Sequence, residues 1–425
     1  MNITEQTSME SSWRVCLAVL LLIFAALPVQ IFAVPGFEVT PALLLAPAAF
    51  LLFRPDEKAH WAVVAFMVLC GFLALIGSVG SDGRLRNLLG AASYSSGAPY
   101  LLVGITLARR FGDLASILRW IAPVSVVVAT IFAIDLFITN GHLVPSMAYE
   151  STSYSSDETT FIQSFFPFYG KYAVITLATI SMFIGALGLG SVEAIERKFL
   201  AHLVLASSSL LIAISFTMWS RQVMLGAIIF FLALLALAPR QKKAWLAFAI
   251  FIVVIGIWTI GPQESGLGAT KFDRALTNIE TGNVDDLSTG RLEIYRQSLE
   301  RLTPNIVLKG CGFCNLIDVM EFEFSSLHNV LLTAVYKGGA IYAFLYLGSA
   351  FFGLALIWIE RNSFARNVTI AAVLSIGAQS IVNDVIYFQV IPALMFVISG
   401  YTFAQMMNRR RQGRSAVNRV PTAGA

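Results

Sequence analysis

Charge is what this chain has least of. Only 13% of its 425 residues are Asp, Glu, Lys or Arg, against about a quarter in an ordinary soluble protein. With 57% hydrophobic residues and a mean hydropathy of +0.75, the composition excludes a soluble enzyme and a nucleic-acid binder, whose surfaces need dense charge. Histidine and cysteine are scarce too, four of each. No His-Glu-x-x-His, no Asp-x-Asp and no phosphate loop occurs, so the sequence signatures of zinc hydrolysis, metal-held nucleotide sugars and nucleotide hydrolysis are missing. Cys16 and Cys70 fall in apolar runs and read as small buried hydrophobes. Cys311 and Cys314, in Cys-Gly-Phe-Cys within a polar stretch, suit a local disulfide or two free thiols, with a redox couple or half a metal site as alternatives. No small-residue cleavage pattern accompanies the first apolar run, which therefore reads as a retained helix. No internal repeat is visible.

What the chain does have is long apolar runs. A membrane-crossing helix needs about 20 apolar residues, and runs bounded by charge or turn residues fall at 14–34, 38–53, 61–79, 88–107, 117–139, 172–190, 199–218, 221–238, 244–260, 328–359, 367–383 and 386–406. The sequence thus predicts an all-α polytopic membrane protein of about twelve transmembrane helices. The second run carries Pro41 and Pro47 and is expected to kink or insert only in part; the tenth is long enough to tilt.

Charge asymmetry orients the set. With the N-terminus inside, 18 of the 29 basic residues lie on the inner side but only 8 of the 25 acidic ones, as the positive-inside rule demands. Both termini are then cytoplasmic. The chain divides into helices one to nine at 1–260, with an outer loop at 140–171; a large outer loop at 261–327; helices ten to twelve at 328–406; and a basic inner tail at 407–425, expected to be disordered against anionic lipid.

The outer loop holds the densest polar chemistry and ends in Leu327-His328-Asn329. A histidine where chain re-enters the membrane can take a proton from a hydroxyl near neutral pH, and Asn329 can orient it or a ligand; a helix-capping role fits the same position. Arg221, in a very short outer turn between two apolar spans without a carboxylate, favours an anionic ligand such as a diphosphate over a structural salt bridge, with snorkelling to lipid phosphates as the alternative. Residues 288–302 read as a capped amphipathic helix, with Leu292, Tyr295, Leu299 and Leu302 as a face resting on the membrane surface. Arg291 falls in its first turn, where the helix dipole prefers an anion, so a bound phosphate would satisfy both. Arg296 is expected to pair with Glu300 at i,i+4.

These residues resemble the O-antigen ligase and polymerase superfamily of bacterial polysaccharide assembly. The likeness rests on Ser220-Arg221 at the mouth of a helix pair, Gly290-Arg291 with Tyr295 four residues on, Gly310-x-Gly312, and His328-Asn329 followed by Leu332 and Gly339. It covers about 200–360; elsewhere it is one of topology. The chain has Tyr295 where the family often has tryptophan, and Lys337 where it often has an acid.

The resemblance implies a GT-C-like fold and a metal-independent, inverting glycosyltransferase of the bacterial inner membrane, without a cofactor and with its active site facing the periplasm. The donor would be an undecaprenyl-diphosphate-linked glycan, clamped by Arg221 and Arg291, with His328 as general base on an acceptor hydroxyl and Asn329 and Lys337 at the substrate. A polymerase of exopolysaccharide or O-antigen, a ligase passing the chain to lipid A-core, and a secondary transporter or flippase are the readings in play. Lys171, Lys309 and Lys337, which can hold acidic sugars or a second diphosphate, incline towards the polymerase. Membrane lipids and polysaccharide-export proteins are the partners implied.

Overall fold

The structure, a computed structural model, describes residues 12–27, 32–34, 37–78, 84–111, 221–237, 291–314, 327–355, 363–382 and 390–417, with isolated positions between them. The expected spans at 172–190 and 199–218, nearly all of 117–139 and 244–260, the loop 140–171 and residues 261–290 lie outside the described residues. What is described is mostly helical: α1 (Ser12–Ala25), α2 (Pro41–Leu45), α3 (Lys58–Ser78), α4 (Arg84–Ser95), α5 (Tyr100–Arg110), α6 (Arg221–Leu237), α7 (Arg291–Glu300), α8 (Pro304–Lys309), α9 (Val330–Phe351), α10 (Ser363–Val382) and α11 (Val390–Val417). Among the described residues, α9 is the one helix long and apolar enough to cross a membrane.

Several boundaries differ from expectation, each for a local reason. The first helix ends at Ala25 instead of reaching residue 34, and Phe32–Val34 pairs antiparallel with Phe37–Val39; Pro28 and Pro35-Gly36 interrupt a helical run and favour a turn. The second run splits into α2 and a 3-10 turn, Ala46–Leu52. The fourth, read as one helix, is two, because Gly97 and Pro99 break it between α4 and α5. The tail expected to be disordered continues α11 to Val417; Arg, Gln and Met are good helix formers, and Arg409 Nη2 donates to the Ile359 carbonyl.

Contacts fix the helix directions. α5, with the turn before it, runs parallel to α11: Gly97 meets Phe396, Leu101 meets Gly400, and Gln405 donates to the Ala108 carbonyl at 3.3 Å. A side chain at Gly104 would collide with the Val397 carbonyl and one at Gly400 with that of Leu101, so two glycines let these backbones touch. α9 is also parallel to α11, through Tyr346 on Phe396 and the Ser399 hydroxyl on the Ala350 carbonyl at 3.0 Å. α6 and α10 are antiparallel: Ser375 Oγ donates to Gly226 O at 2.8 Å and Asn367 Nδ2 to Leu237 O at 2.7 Å.

Two ends of the bundle follow from these directions. One gathers Arg54, Glu57, His60 and Arg109. Arg109 is ion-paired with Glu57, and Arg54 lies 3.5 Å from the same carboxylate. The Arg54 backbone N–H donates to His60 Nδ1 at 2.9 Å, which leaves the imidazole proton on Nε2, 3.6 Å from Glu57. The opposite end carries His328 and α7. Between them the polarity is inside out: Ser375, Gln379, Ser399 and Thr402 are fully buried, while Val68, Leu232 and Phe344 are 66%, 61% and 78% exposed. Isolated exposed apolar residues are ordinary in any protein; here Leu374 and Ile381 are exposed on α10, the same helix whose Ser375 and Gln379 are buried.

Candidate functional site

α9 is the site's scaffold. Asn329 opens it, its Oδ1 accepting the Leu332 N–H at 3.0 Å, the standard way to satisfy one of the four unpaired donors of a helix start. The capping role open to His328-Asn329 therefore falls to the asparagine. His328, immediately before the cap, is half-buried and has φ 49°, the left-handed region that costs a non-glycine residue about 1–2 kcal/mol. Strain of this kind persists only where the surroundings hold it.

α9 breaks once. Gly339 has φ 81° and ψ 169°, and an uninterrupted helix would have used the carbonyls of Tyr336 and Lys337 for N–H groups four residues on. Instead they accept from Cys311 N at 2.7 Å and Phe313 N at 3.0 Å. Cys311 and Cys314 are joined as a disulfide, which decides among the alternatives the sequence left open. The turn so closed docks on the kink with Gly310 (φ 68°) against Lys337 to Gly339, and Phe313 (φ 63°) packs edge-on against Tyr342, 5.2 Å between centroids. Lys337 is 8% exposed, and its ammonium donates to the Cys314 carbonyl.

α7 lies across this end. Tyr336 Oη donates to the carbonyl of buried Ser298, while Ile294 and Leu302 pack with Leu316, Leu327 and Tyr336. The expected surface-resting face is thereby corrected. Leu292 and Leu299 are exposed at 45% and 59%, but Tyr295 and Leu302, some 60° round the helix, turn to the protein. The stripe straddles the edge of the docked face, which a periodicity argument alone cannot divide. Arg296 pairs with Glu300 at 3.2 Å as expected, and more closely with Glu293 at 2.8 Å.

Bonds from Arg296 and Gln297 hold the Glu293 carboxyl down to about 2. A depressed carboxylate contributes stability that is complete above its unfolded value, near 4.5, and is lost as pH falls towards 2. The gap in thermal midpoint between wild type and Glu293→Gln is therefore expected to be small and constant from pH 8 to 5 and to close below 4.5. A gap that does not change with pH would assign it to packing.

Three elements meet at one backbone oxygen. The Ile381 carbonyl, in the last turn of α10, accepts from Tyr295 Oη at 2.8 Å and from Asn329 Nδ2 at 3.3 Å. Tyr295 is one turn on from Arg291, the half-buried first residue of α7, and Asn329 follows His328. Arg221 is the first residue of α6. Gly226 lies beside Ser375 and Gln379 of antiparallel α10, so five residues at about 1.5 Å each bring the Arg221 backbone level with Ile381 and Val382. The start of α6, the start of α7 and the start of α9 therefore share one end of the bundle, the first two each opened by an arginine. Lys337 stands two turns further along α9, under the disulfide turn. Sequence reasoning singled out Arg221, Arg291, His328, Asn329 and Lys337, but not the Ile381 carbonyl, because a backbone acceptor leaves no mark in residue type.

No protein-family model matches the chain, and no curated protein matches it significantly.

Proposed function

We propose that this is a multi-pass bacterial inner-membrane enzyme of about twelve helices, with the 261–327 segment and the His328 end in the periplasm, that transfers an undecaprenyl-diphosphate-linked glycan to an acceptor sugar hydroxyl as a polysaccharide polymerase. The observation that carries the reading is that α7 and the start of α9 meet at the Ile381 carbonyl, at the end of the bundle where α6 begins. Two helix starts, each carrying an arginine, suit a diphosphate, because a helix N-terminus and a guanidinium charge both favour an anion. The disulfide in the same segment fits an oxidising compartment.

In the transfer, His328 takes the proton of the acceptor hydroxyl as its oxygen bonds to the anomeric carbon. The bond from that carbon to the diphosphate oxygen breaks, and its electron pair leaves with the lipid diphosphate. Arg221 and Arg291 hold that leaving group and stabilise its growing charge without a metal. Attack opposite the leaving group inverts the anomeric centre. Asn329, which caps α9, fixes the residue beside the base.

The test is the glycan profile of cells holding only the His328→Ala or the Arg221→Ala protein at matched expression. Single repeat units building up on the carrier with loss of long glycan is the expected result. Long chains stranded on the carrier would make the enzyme a ligase, which differs only in acceptor, and normal polymer in both strains would reject transfer and bring transport forward.

A further inference from the structure

The transfer reading gives no task to the phenol of Tyr295. Its hydroxyl lies 3.0 Å from the carbonyl oxygen of His328 and 2.8 Å from that of Ile381. A phenol has one proton, so both carbonyls share it. The Ile381 carbonyl is one of the last four of α10, which have no partner within their own helix, and it also takes Asn329 Nδ2 at 3.3 Å. His328 is thus held directly after its left-handed backbone: its own carbonyl by Tyr295, and the next residue by the two bonds of the Asn329 side chain, to Ile381 O and from Leu332 N. Since α7 also supplies Arg291 one turn earlier, a single hydroxyl ties the helix of the anion clamp to the residue that carries the imidazole.

We infer that Tyr295 is a positioning residue, which holds the strained His328 backbone so that the imidazole is presented in one place relative to Arg291. The inference rests on the proposed transfer reaction. Without the hydroxyl the His328 carbonyl loses its donor from α7, the hold on the left-handed conformation weakens, and the base samples positions in which it does not meet the acceptor. Misplacement of a reacting group by about 1 Å can cost a hundredfold in rate.

The test uses the full-length protein in liposomes, with lipid-linked glycan extracted from cells that hold only the His328→Ala protein as substrate. Tyr295→Phe keeps the ring and its packing. Its kcat is expected to fall about 10- to 100-fold, with KM for the lipid-linked glycan within twofold of wild type. The acid limb of the pH–rate profile, which reports the base, is expected to keep its midpoint, because the imidazole itself is unchanged. The thermal midpoint serves as a control: a KM that rises together with a lowered midpoint would make Tyr295 a structural strut and overturn the inference. Wild-type kcat in Tyr295→Phe alongside an inactive His328→Ala would also overturn it while leaving the transfer reaction standing. A fully active His328→Ala protein would remove the transfer reaction itself.

Discussion

On the proposed transfer reaction, His328→Ala is expected to lower the turnover of the purified protein by about 10²–10⁴-fold, the usual worth of a general base, and to leave the affinity for the lipid-linked donor within a few-fold of wild type. The split follows from the division of labour at this end of the bundle. In the proposed transfer the donor is held at α6 and α7, which open with Arg221 and Arg291, whereas His328 meets only the acceptor proton. Residual activity should lose the acid limb of its pH dependence. His328→Gly sharpens the test. At φ 49° alanine keeps the strain that histidine bears, but glycine is free of it and gains about 1–2 kcal/mol. The glycine variant is thus expected to be at least as stable as wild type and as inactive as the alanine variant. Loss of activity with intact stability places the defect in the side chain; parallel loss of both would place it in the fold.

Gly339→Ala is expected to be among the most destabilising single methyl additions in the described structure. Two penalties coincide there. At φ 81° and ψ 169° the backbone occupies a region essentially closed to other residues, worth about 1–3 kcal/mol. The new Cβ would also stand 2.5 Å from the Leu308 carbonyl oxygen and 3.0 Å from Lys309 N, a backbone collision that no rotamer relieves, at roughly another 1–3 kcal/mol. The sum, roughly 2–6 kcal/mol, is comparable to the whole stability of many domains. Denaturation midpoints in detergent measure it. Gly310→Ala, on the other side of the same contact, with its Cβ 2.6 Å from the Lys337 carbonyl oxygen, should behave alike. A wild-type midpoint in both would mean that the turn does not dock on the kink as described.

How much of this was legible in the sequence depends on the residue. Arg291 at a helix start, the Arg296–Glu300 pair and α3, α6 and α10 to within a few residues followed from spacing and charge, because local rules govern them. Asn329 as a cap was half legible: the dipeptide marked a helix start, but which of its two residues does the capping needed geometry. The disulfide was one of four readings of Cys-Gly-Phe-Cys, and only its docking on α9 shows what it holds. The division of α7 into a docked and an exposed side was hidden, since Leu299 and Leu302 look alike to a periodicity argument and differ only in what lies beside them. Lys337 read as a ligand-binding cation because its sequence neighbours do not include Cys314, whose carbonyl it reaches across 23 positions. The Gly339 kink was marked only as a glycine, and its release of two carbonyls required the partner strand of the turn to be seen.

The glycine-to-backbone seam between α5 and α11 has a consequence for how the protein is made. Chain leaves the ribosome in order, so α5 is complete while almost 300 residues separate it from its parallel neighbour. Throughout that interval the backbone at Gly104, which has no side chain to shield it, lacks the α11 backbone that covers it in the finished fold. Van der Waals fit, the main attraction between helices whose backbones touch, is withheld from it until α11 arrives. Chains stopped anywhere before residue 390 should therefore be recognised as unfinished and degraded, however many of their helices have already formed.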